Sequence, residues 1–539
     1  MPFNISSLTP RQLAALSTTA IVGLTTTDVA ALTTSQAAAL TATQVNAMET
    51  TDLQYLATTQ IQSLSANVIS HLLTLQIQSF LDTQVAGFTS TQIGLLTATE
   101  LGALSSTEVQ AFSTTQANAL TARQLGGIDT AELSDFSTTQ IGAFSTTQLQ
   151  GFTATQINAL ATGSLDAIDV TRLTSTQLKG LSTTAIGNLT ETQVGVLTST
   201  EISVLSSAQI GALTSTEIQA FTTTQANALT SRQLGGLTTT ALNNFSTTQV
   251  AALTSTQLQG LTSTQLNALT TAALDAIDPA KLSNTQLKGL STTSVANLTE
   301  TQVSALTATQ VGVLGTAQIG TLTSTEIQAF TTTQANALTS TQFRGLTTTA
   351  IGNFSTTQIT ALSATQAQSL TTTQLNAVSS DVLGAIDLTK LSSTQLKGLT
   401  TTALGSFSTT QIGTLSTTQV QSLTTAQLNA VSSSVLNAIA MAKLSSTQLT
   451  GLNTTAIGNL TTTQVGTLSS TQVAQLAATQ VGSLTSTEIQ GFTTTQANAL
   501  TSTQFRALTS TALGNFSTDR KSTRLNSSHT DISRMPSSA

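Results

Sequence analysis

The fold of this chain is decided by one eight-residue stretch, residues 253–260, which has the sequence Leu-Thr-Ser-Thr-Gln-Leu-Gln-Gly. Position two is a hydroxyl residue and position five is Gln, which is the spacing of a capping box. In that motif the hydroxyl oxygen accepts from the third helical amide, and the Gln side chain accepts from the amide of the cap residue. The leucines at positions one and six form a hydrophobic staple around the cap. The stretch therefore predicts the start of a short helix of about a turn and a half.

The same octad repeats along the chain with few interruptions. Steps of eight residues from Leu8 meet an apolar residue each time as far as Ile168. Position two is usually Ser or Thr, position five is usually Gln or Glu, and position eight is mostly Ala, Gly, Asn or Ser. A small residue at position eight suits close packing, and Gly or Asn there also suits a left-handed helix end. We therefore predict a row of short helices, each followed at once by the next cap.

Five-residue units interrupt the octads at 168–172, 277–281, 386–390 and 439–443. The first three units recur at a constant interval, and the same interval relates Glu108, Glu217 and Glu326, so a larger block has also been duplicated. In these three units Asp stands at the cap position, and Arg or Lys stands where Gln usually does. An ion pair would suit this arrangement, but an N-cap role for Asp is favoured. We expect the pentads to bend or re-phase the solenoid.

A single octad cannot fold alone. Burial of its two large apolar side chains contributes about 3–6 kcal/mol, whereas ordering eight residues costs about 12 kcal/mol. Packing between neighbouring octads has to supply the difference. The sequence therefore predicts an all-α solenoid of very short capped helices over residues 8–518, after a lead-in at 1–7. A β-solenoid with two octads per coil is the alternative, because Thr favours strands, although positions one and six would point to opposite faces of a strand.

The last part of the chain, residues 519–539, departs from the repeat. The octads stop in mid-unit at Thr518, and the sequence that follows is basic at first and has no period. Its residues can be back-translated into the two ends of a common sequencing adapter. We expect these residues not to be native protein, and the octads to be truncated after Thr518.

The composition excludes several classes of function. Charged residues make up 7% of the chain and the net charge is −7. This mild acidity argues against a nucleic-acid partner, which requires a basic face. No apolar run is long enough to cross a bilayer, and no classical signal peptide is visible at the N-terminus.

Side chains suited to catalysis or metal binding are scarce. The chain has no cysteine, and His71 is the only histidine before residue 519, so a nucleophile system would have to use it. His71 lies in an irregular unit and is interpreted as a local packing variation. Spacings typical of zinc ligands are absent, and acids in duplicated blocks cannot form one unique site. We predict that the chain is not an enzyme and has no catalytic, cofactor-binding or metal-binding residue; Glu at position five is interpreted as a helix-start residue favoured by the helix dipole.

Two units, Leu-Thr-Ser-Thr-Gln-Leu-Gln-Gly and Phe-Thr-Thr-Thr-Gln-Ala-Asn-Ala, resemble those of very long Thr/Gln-rich bacterial surface or secreted repeat proteins. Some of these proteins are labelled as adhesins or haem-utilisation proteins. The resemblance covers residues 8–518 and implies an extracellular structural or adhesive stalk that binds an unidentified protein or glycan surface multivalently. It transfers no functional residue. The usual haem ligands are nearly absent, so no cofactor is expected.

Two other functions are compatible with the repeat. Rows of Thr at fixed spacing suit a surface that binds an ordered lattice such as ice or polysaccharide, which is easier to build on a β-solenoid than on short helices. A cytosolic protein-binding solenoid is the second alternative, because no export signal is visible.

Overall fold

The computed structural model describes residues 5–514, and every regular element in that range is helical. These residues form 61 α-helices of four to six residues and five 3-10 turns, without a strand. The all-α prediction is confirmed, and the β-solenoid alternative is excluded for this range. The predictions made for residues 519–539, for the first four residues of the lead-in and for residues 515–518 lie outside the described residues.

The chain divides into two compact units, Met1–Ile277 and Asp278–Ala539. The α-helices of the first unit, α1 to α33 in chain order, are Pro10–Ala14, Thr18–Val22, Thr26–Ala30, Thr34–Ala39, Ala42–Ala47, Thr50–Leu53, Thr58–Ser63, Ala66–Ile69, Thr74–Ile77, Asp82–Ala86, Ser90–Ile93, Ala98–Leu101, Ser106–Gln110, Thr114–Ala117, Ala122–Gly127, Thr130–Ser134, Thr138–Ala143, Thr146–Gly151, Ala154–Ala159, Thr162–Asp166, Ser175–Gly180, Thr183–Gly187, Glu191–Gly195, Ser199–Val204, Ser207–Ala212, Ser215–Gln219, Thr223–Ala228, Ser231–Gly235, Thr239–Leu242, Thr247–Ala252, Ser255–Gln259, Ser263–Asn267 and Thr271–Asp275.

The α-helices of the second unit, α34 to α61, are Asn284–Gly289, Thr292–Ala296, Glu300–Ala305, Ala308–Val313, Thr316–Ile319, Ser324–Gln328, Thr332–Asn336, Ser340–Gly345, Thr348–Gly352, Thr356–Thr360, Ala364–Ser369, Thr372–Ala377, Ser380–Gly384, Ser393–Gly398, Thr401–Gly405, Thr409–Gly413, Thr417–Ser422, Thr425–Ala430, Ser433–Ala438, Ser446–Gly451, Thr454–Gly458, Thr462–Gly466, Ser470–Gln475, Ala478–Gly482, Ser486–Gln490, Thr494–Ala499, Ser502–Arg506 and Ser510–Gly514. The 3-10 turns are Ile5–Ser7, Val170–Arg172, Pro279–Lys281, Leu388–Lys390 and Met441–Lys443.

Each octad forms one helix because it caps its own start. The Thr254 hydroxyl accepts from the Gln257 amide at 3.3 Å, and Gln257 Oε1 accepts from the Thr254 amide at 2.9 Å. Equivalent pairs begin the helices after most Ser or Thr residues at position two, for example at Ser145 and Gln148. The predicted capping box is therefore confirmed.

The helices end without a left-handed residue. No residue between 5 and 514 is recorded with a positive φ, so the left-handed ends predicted for Gly and Asn are wrong. The position-one residue is instead extended, as at Leu40 (φ −60°, ψ 139°), and so is the cap residue after it, as at Thr41 (φ −88°, ψ 157°). Two successive extended residues turn the chain into the next helix, and both conformations are open to any residue.

Three octads make one coil. Helices contact each other when they are three elements apart, as α1 does with α4 and α4 with α7. Positions one and six face the interior, where Leu253 and Leu258 are 2% and 1% exposed. The stacking between octads that the energetic argument requires is therefore present in each unit.

The position-one residues, which form the corners between successive helices of a coil, also meet in the interior. The position-one rings of Phe136, Phe144 and Phe152 come from successive octads, and their centroids lie 5.7 and 5.8 Å apart in edge-to-face geometry. Such pairs add stability beyond the area they bury. Position one thus forms the central part of the core.

Small residues at the helix ends allow successive coils to approach. A Cβ atom on Gly235 would lie 2.4 Å from the carbonyl oxygen of Gly260, and one on Gly260 would lie 2.5 Å from the carbonyl oxygen of Ser231. These distances leave no room for a side chain. The prediction of close packing at the small positions is confirmed.

Each pentad replaces one α-helix of a coil by a 3-10 turn. The turn Val170–Arg172 contacts α18, and α19 contacts α21, so the spacing of three elements is kept. The coil itself is shorter, because the side-chain bonds of Gln177 across it reach back 28 and 25 residues, whereas those of Gln209 reach back 31 and 28 residues. The Asp169 carboxylate accepts from the Thr171 amide at 3.1 Å, which confirms its N-cap role, and it also pairs with Arg172 at 3.0 Å.

Candidate functional site

Within each unit, the side-chain amide of a position-five Gln joins its coil to the preceding one. Gln209 Oε1 accepts from the Ser206 amide at 2.7 Å, while Gln209 Nε2 donates to the carbonyl oxygens of Leu178 at 2.8 Å and Leu181 at 2.9 Å. Leu178 stands at position six and Leu181 at position one of the preceding coil, so the two carbonyls belong to a helix end and to the corner after it. The Leu178 carbonyl also accepts from the Leu181 amide at 3.2 Å, whereas the Leu181 carbonyl has no other recorded donor among the described residues. One buried amide thus serves a helix start in its own coil and a helix end in the coil before.

Only half of this role is predicted by the sequence: the capping box uses Oε1 and leaves Nε2 without a predicted partner. The signal was the excess of Gln over Glu at position five. A capping box accepts either residue and the helix dipole favours Glu, so a preference for Gln indicates that a donor is needed.

At the pentads a cation takes the place of the amide. Lys390 Nζ donates to the Leu362 carbonyl at 2.6 Å, and Lys443 Nζ donates to the Leu415 carbonyl at 2.5 Å. Arg172 Nη1 reaches the Phe144 carbonyl at 3.1 Å. All three acceptors are position-one carbonyls of the preceding coil. This corner carbonyl therefore accepts a bond from a positive charge as well as from an amide.

Several octads have Ala at position five and obtain their cap acceptor from another coil. Asn158 Oδ1 accepts from the Ser182 amide at 2.7 Å, and Asn158 Nδ2 donates to the Gly180 carbonyl at 3.0 Å. The octad of Ser182 has Ala185 where Gln would stand. The same arrangement joins Asn243 to Thr270, Asn376 to Thr400 and Asn429 to Asn453.

Six glutamates at position five are buried, with exposed fractions of 5–9%: Glu100, Glu108, Glu201, Glu217, Glu326 and Glu488. In each of them one carboxylate oxygen accepts from the amide of the cap residue at 2.6–2.7 Å. This geometry agrees with the interpretation of these residues as helix-start glutamates.

The exposed hydroxyls fall into two classes. The Thr254 hydroxyl is used internally, because it donates to Gln257 Oε1 at 3.0 Å and accepts from the Gln257 amide. Ser255 and Thr256, at positions three and four, are exposed, and among the described residues they have no recorded hydrogen-bond partner for their hydroxyls. Positions three and four therefore present hydroxyls to solvent in many octads, although some position-three hydroxyls bond to the neighbouring coil, as Ser207 Oγ does with the Arg232 carbonyl at 3.5 Å.

His71 is exposed and bonded to its own unit. Its Nδ1 lies 2.8 Å from the Asn67 carbonyl oxygen and 3.0 Å from Ser70 Oγ. A nitrogen that donates to the carbonyl cannot at the same time accept the Ser70 proton, so this pair lacks the arrangement of a nucleophile and its base.

A cleft of about 620 Å³ lies between helices α12 and α15, with Thr97, Arg123, Gly126 and Gly127 among its lining residues. No acid lines it. In the part of the chain that the structure describes, no group of three or more His, Cys, Asp or Glu side chains could hold a metal ion. The same residues include no helix long and apolar enough to cross a membrane.

The comparison with protein families identifies a repeat. The sequence profile of the family described as ALTTAQ repeat matches the chain at residues 5–42, 202–239, 226–263, 311–348 and 441–478. The matched segments occur in both units, so the chain is a repeat protein similar to this family. No curated protein matches the chain.

Proposed function

We propose that this chain is a non-enzymatic structural and adhesive stalk that belongs to a larger surface or secreted protein. The observation that carries the proposal is the equivalence of the coils. Within each unit the inter-coil amide bond recurs in most octads, from Gln36 in the first to Gln504 in the second, and a pentad cation or an Asn side chain makes a similar contact in some of the units that lack Gln. The part of the chain that the structure describes therefore presents many similar surfaces.

The adhesive part of the proposal rests on the solvent-exposed hydroxyls at positions three and four, such as those of Ser255 and Thr256. Each hydroxyl alone contributes little, but equivalent groups on successive coils can engage one extended partner together, which raises the overall affinity by orders of magnitude. The partner is a protein or glycan surface, because the chain is too acidic to favour nucleic acid.

The cellular location of the chain tests the proposal that it is a surface or secreted stalk. An antibody against residues 5–514 should label intact native cells or their medium, and brief protease treatment of intact cells should remove the label. Finding the chain only in the cytosol would contradict the proposal and would make an intracellular protein-binding solenoid the working hypothesis.

A graded series of substitutions tests whether the exposed hydroxyls contribute to adhesion. Ser and Thr at positions three and four are replaced by Ala in two, four and eight successive octads, a change that natural octads already contain at Ala42 and Ala98. Adhesion to the host surface should fall steeply with the number of altered octads, while the far-UV circular dichroism stays helical. As the control, the same number of exposed position-seven Gln residues is replaced by Ala. Equal adhesion in both series would refute a role for the hydroxyls.

Regular hydroxyl rows also favour a second candidate function, the binding of an ordered lattice. Ice binding would appear as thermal hysteresis of the purified chain, and polysaccharide binding as retention on insoluble glycan that the eight-octad variant loses. Absence of both effects in the unaltered chain would remove this candidate.

A further inference from the structure

We propose that an apolar patch in the first unit, formed by Tyr55, Leu73, Leu75 and Leu81, binds a basic amphipathic helix of a partner protein. The patch occurs at one place in the chain, whereas the exposed hydroxyls recur from octad to octad. The inference therefore does not depend on the adhesive role proposed for those hydroxyls.

Exposed apolar side chains are concentrated in this part of the chain. Among the described residues six large apolar side chains are exposed, and four of them lie between residues 55 and 81. Leu75 is 65% exposed, Tyr55 55%, Leu73 53% and Leu81 46%. A single exposed apolar residue is ordinary, but a cluster of them marks an interaction surface.

The three leucines stand where the repeat normally has hydroxyl residues. Leu73 and Leu81 occupy position two of successive octads, and Leu75 occupies position four. The helices after Leu73 and Leu81 begin without the side-chain cap bond that a Ser or Thr would supply. These leucines thus give up cap bonds and contribute little to the core, so folding does not explain them. A partner that covers them does.

One helix holds the three leucines on the same side of a coil. Leu75 lies within α9, Thr74–Ile77, and Leu73 and Leu81 stand at the corners before and after it. A helix of four residues rises roughly 6 Å, so the two corners are close together.

Tyr55 joins the patch from the preceding coil. The helix α6, which ends two residues before Tyr55, contacts α9. The Gln84 side chain accepts from the Leu81 amide at 2.7 Å and donates to the carbonyl oxygen of Leu56, the residue after Tyr55, at 2.7 Å. A single side chain therefore links the corner of Leu81 to the corner of Tyr55, and the patch extends over two coils.

The charges around the patch are all negative. Exposed Asp82 follows Leu81, and exposed Glu49 stands three octads, or one coil, before Leu73. Residues 12–122 contain no Lys or Arg. The acids in the same range are Asp28, Glu49, Asp52, Asp82, Glu100 and Glu108. An apolar surface with an acidic rim is complementary to a partner that carries Lys or Arg beside its apolar residues. The same rim disfavours an anionic membrane.

The fold favours a helical partner over an extended one. A peptide that binds as a strand needs the edge of a sheet, and the residues from 5 to 514 contain no strand. A helix presents its apolar residues as one stripe at spacings of three and four residues, which can lie across a compact apolar surface. A surface of four side chains is small, so the binding should be weak and reversible.

The first test uses a fluorescent synthetic helix of about 15 residues, with a stripe of Leu and with Lys on both sides of the stripe. Fluorescence anisotropy measures its affinity for the full chain. Leu73→Thr/Leu75→Thr/Leu81→Thr should weaken binding at least about tenfold. This variant introduces the repeat's own residues, so it should fold with two additional cap bonds. Val196→Thr, at another exposed apolar residue, is the matched control and should bind as the parent does.

The second test concerns the acidic rim. Glu49→Gln/Asp82→Asn should weaken binding at low salt and should reduce the dependence of the affinity on salt. Glu191→Gln, at an exposed acid far along the same unit, should change neither. Hydrogen exchange locates the bound helix: its addition should slow exchange in residues 72–82 and leave residues 183–200 unchanged.

Four results would overturn the proposal. Equal binding by the parent and the three-Thr variant would place the peptide elsewhere, and equal binding of a peptide with Glu in place of Lys would remove the role of the rim. Sedimentation of the parent as a dimer that the three-Thr variant loses would make a second copy of the chain the occupant. Binding to phosphatidylcholine vesicles that this variant loses, without binding of the basic helix, would make a lipid surface the occupant.

Discussion

At the scale of single residues, the position-five Gln is the side chain of the repeat that makes hydrogen bonds to two coils at once. In Gln257 the carbonyl end serves the cap amide of Thr254, and the amino end bonds to the carbonyls of Ala226 at 3.1 Å and Leu229 at 2.7 Å. Loss of this side chain therefore exposes unpaired groups in two coils, whereas loss of the cap hydroxyl affects only one.

We predict that Gln257→Ala destabilises the local structure by about 2–4 kcal/mol, because the part-buried Thr254 amide loses its side-chain acceptor and the buried Leu229 carbonyl loses its recorded donor. Thr254→Ala should cost about 1 kcal/mol, the usual value for a lost cap. Native-state hydrogen exchange at and around the Leu258 amide measures both. Ser255→Ala, at an exposed position, is the control and should stay within about 0.5 kcal/mol. A smaller effect for Gln257→Ala than for Thr254→Ala would contradict the inter-coil role.

A second residue-scale prediction concerns Asp52, which stands at position five and is buried. Burial, and to a lesser extent the neighbouring charge of Glu49, raises the pKa of Asp52 above its ordinary value of 3.8. A raised folded-state pKa gives stability that is complete below pH 3.8 and is lost as the pH rises through the folded-state value. Asp52→Asn should therefore protect the Leu53 amide at pH 7 and make no difference below pH 3.8.

Asp169 is the control, because its pKa is shifted in the opposite direction. The Thr171 hydroxyl, more than the Thr171 amide and Arg172, holds the pKa of the Asp169 carboxyl below 3.8. The stability it contributes is present above pH 3.8 and is lost as the pH falls through the lowered value. Asp169→Asn should thus weaken the pentad at pH 7. The same sign for both variants at pH 7 would show that charge does not cause either effect.

At the scale of elements, a helix of four to six residues depends on its cap more than a long helix does. Such a helix has almost no amide that is bonded only within the helix, since its first four amides and last four carbonyls need other partners. The repeat supplies the cap acceptor from position five of the same octad or from an Asn one coil earlier. Because both sources supply an acceptor to the same cap amide, a position-five Gln should be able to replace the Asn.

We predict that Asn158→Ala weakens the start of the helix Thr183–Gly187 by about 0.5–1.5 kcal/mol, because the exposed Ser182 amide loses its hydrogen bond to the Asn158 side chain. The double variant Asn158→Ala/Ala185→Gln should recover most of this loss, since the introduced glutamine can accept from the same amide. Hydrogen exchange of the Ser182 amide in the four members of the double-mutant cycle gives the coupling. If the effects of the two substitutions on stability simply add, Asn158 and a position-five Gln are not alternative acceptors for the Ser182 amide.

At the scale of the whole molecule, the coils within each unit interact with the coils directly before and after them. Most helix contacts within a unit join elements three apart, and the recorded hydrogen bonds between coils reach back at most 31 residues. Stability is therefore expected to be a sum of local terms, as in other repeat proteins. A defect should weaken its own neighbourhood and leave distant coils unchanged.

Phe354→Ala tests this locality in the second unit. The Phe354 ring is 2% exposed and packs 5.6 Å from the ring of Phe343, so its loss should cost about 3–5 kcal/mol. Hydrogen exchange should rise sharply in residues 330–378 and remain unchanged in residues 480–500. Equal acceleration in both segments would show that the unit unfolds as one cooperative body.

The sequence by itself determined where most of the described helices begin, that positions one and six are buried, and that the fold is all-α. The reason is that the cap bonds span three residues, and the staple joins positions one and six of the same octad. Only the tertiary structure decided that three octads form a coil, that Gln and the pentad cations bind the preceding coil, and that glycine serves close approach instead of a left-handed turn. The partners of Nε2 lie 28 and 31 residues earlier, as Leu16 and Leu13 do for Gln44, and an eight-residue period does not specify how many octads return the chain to that point.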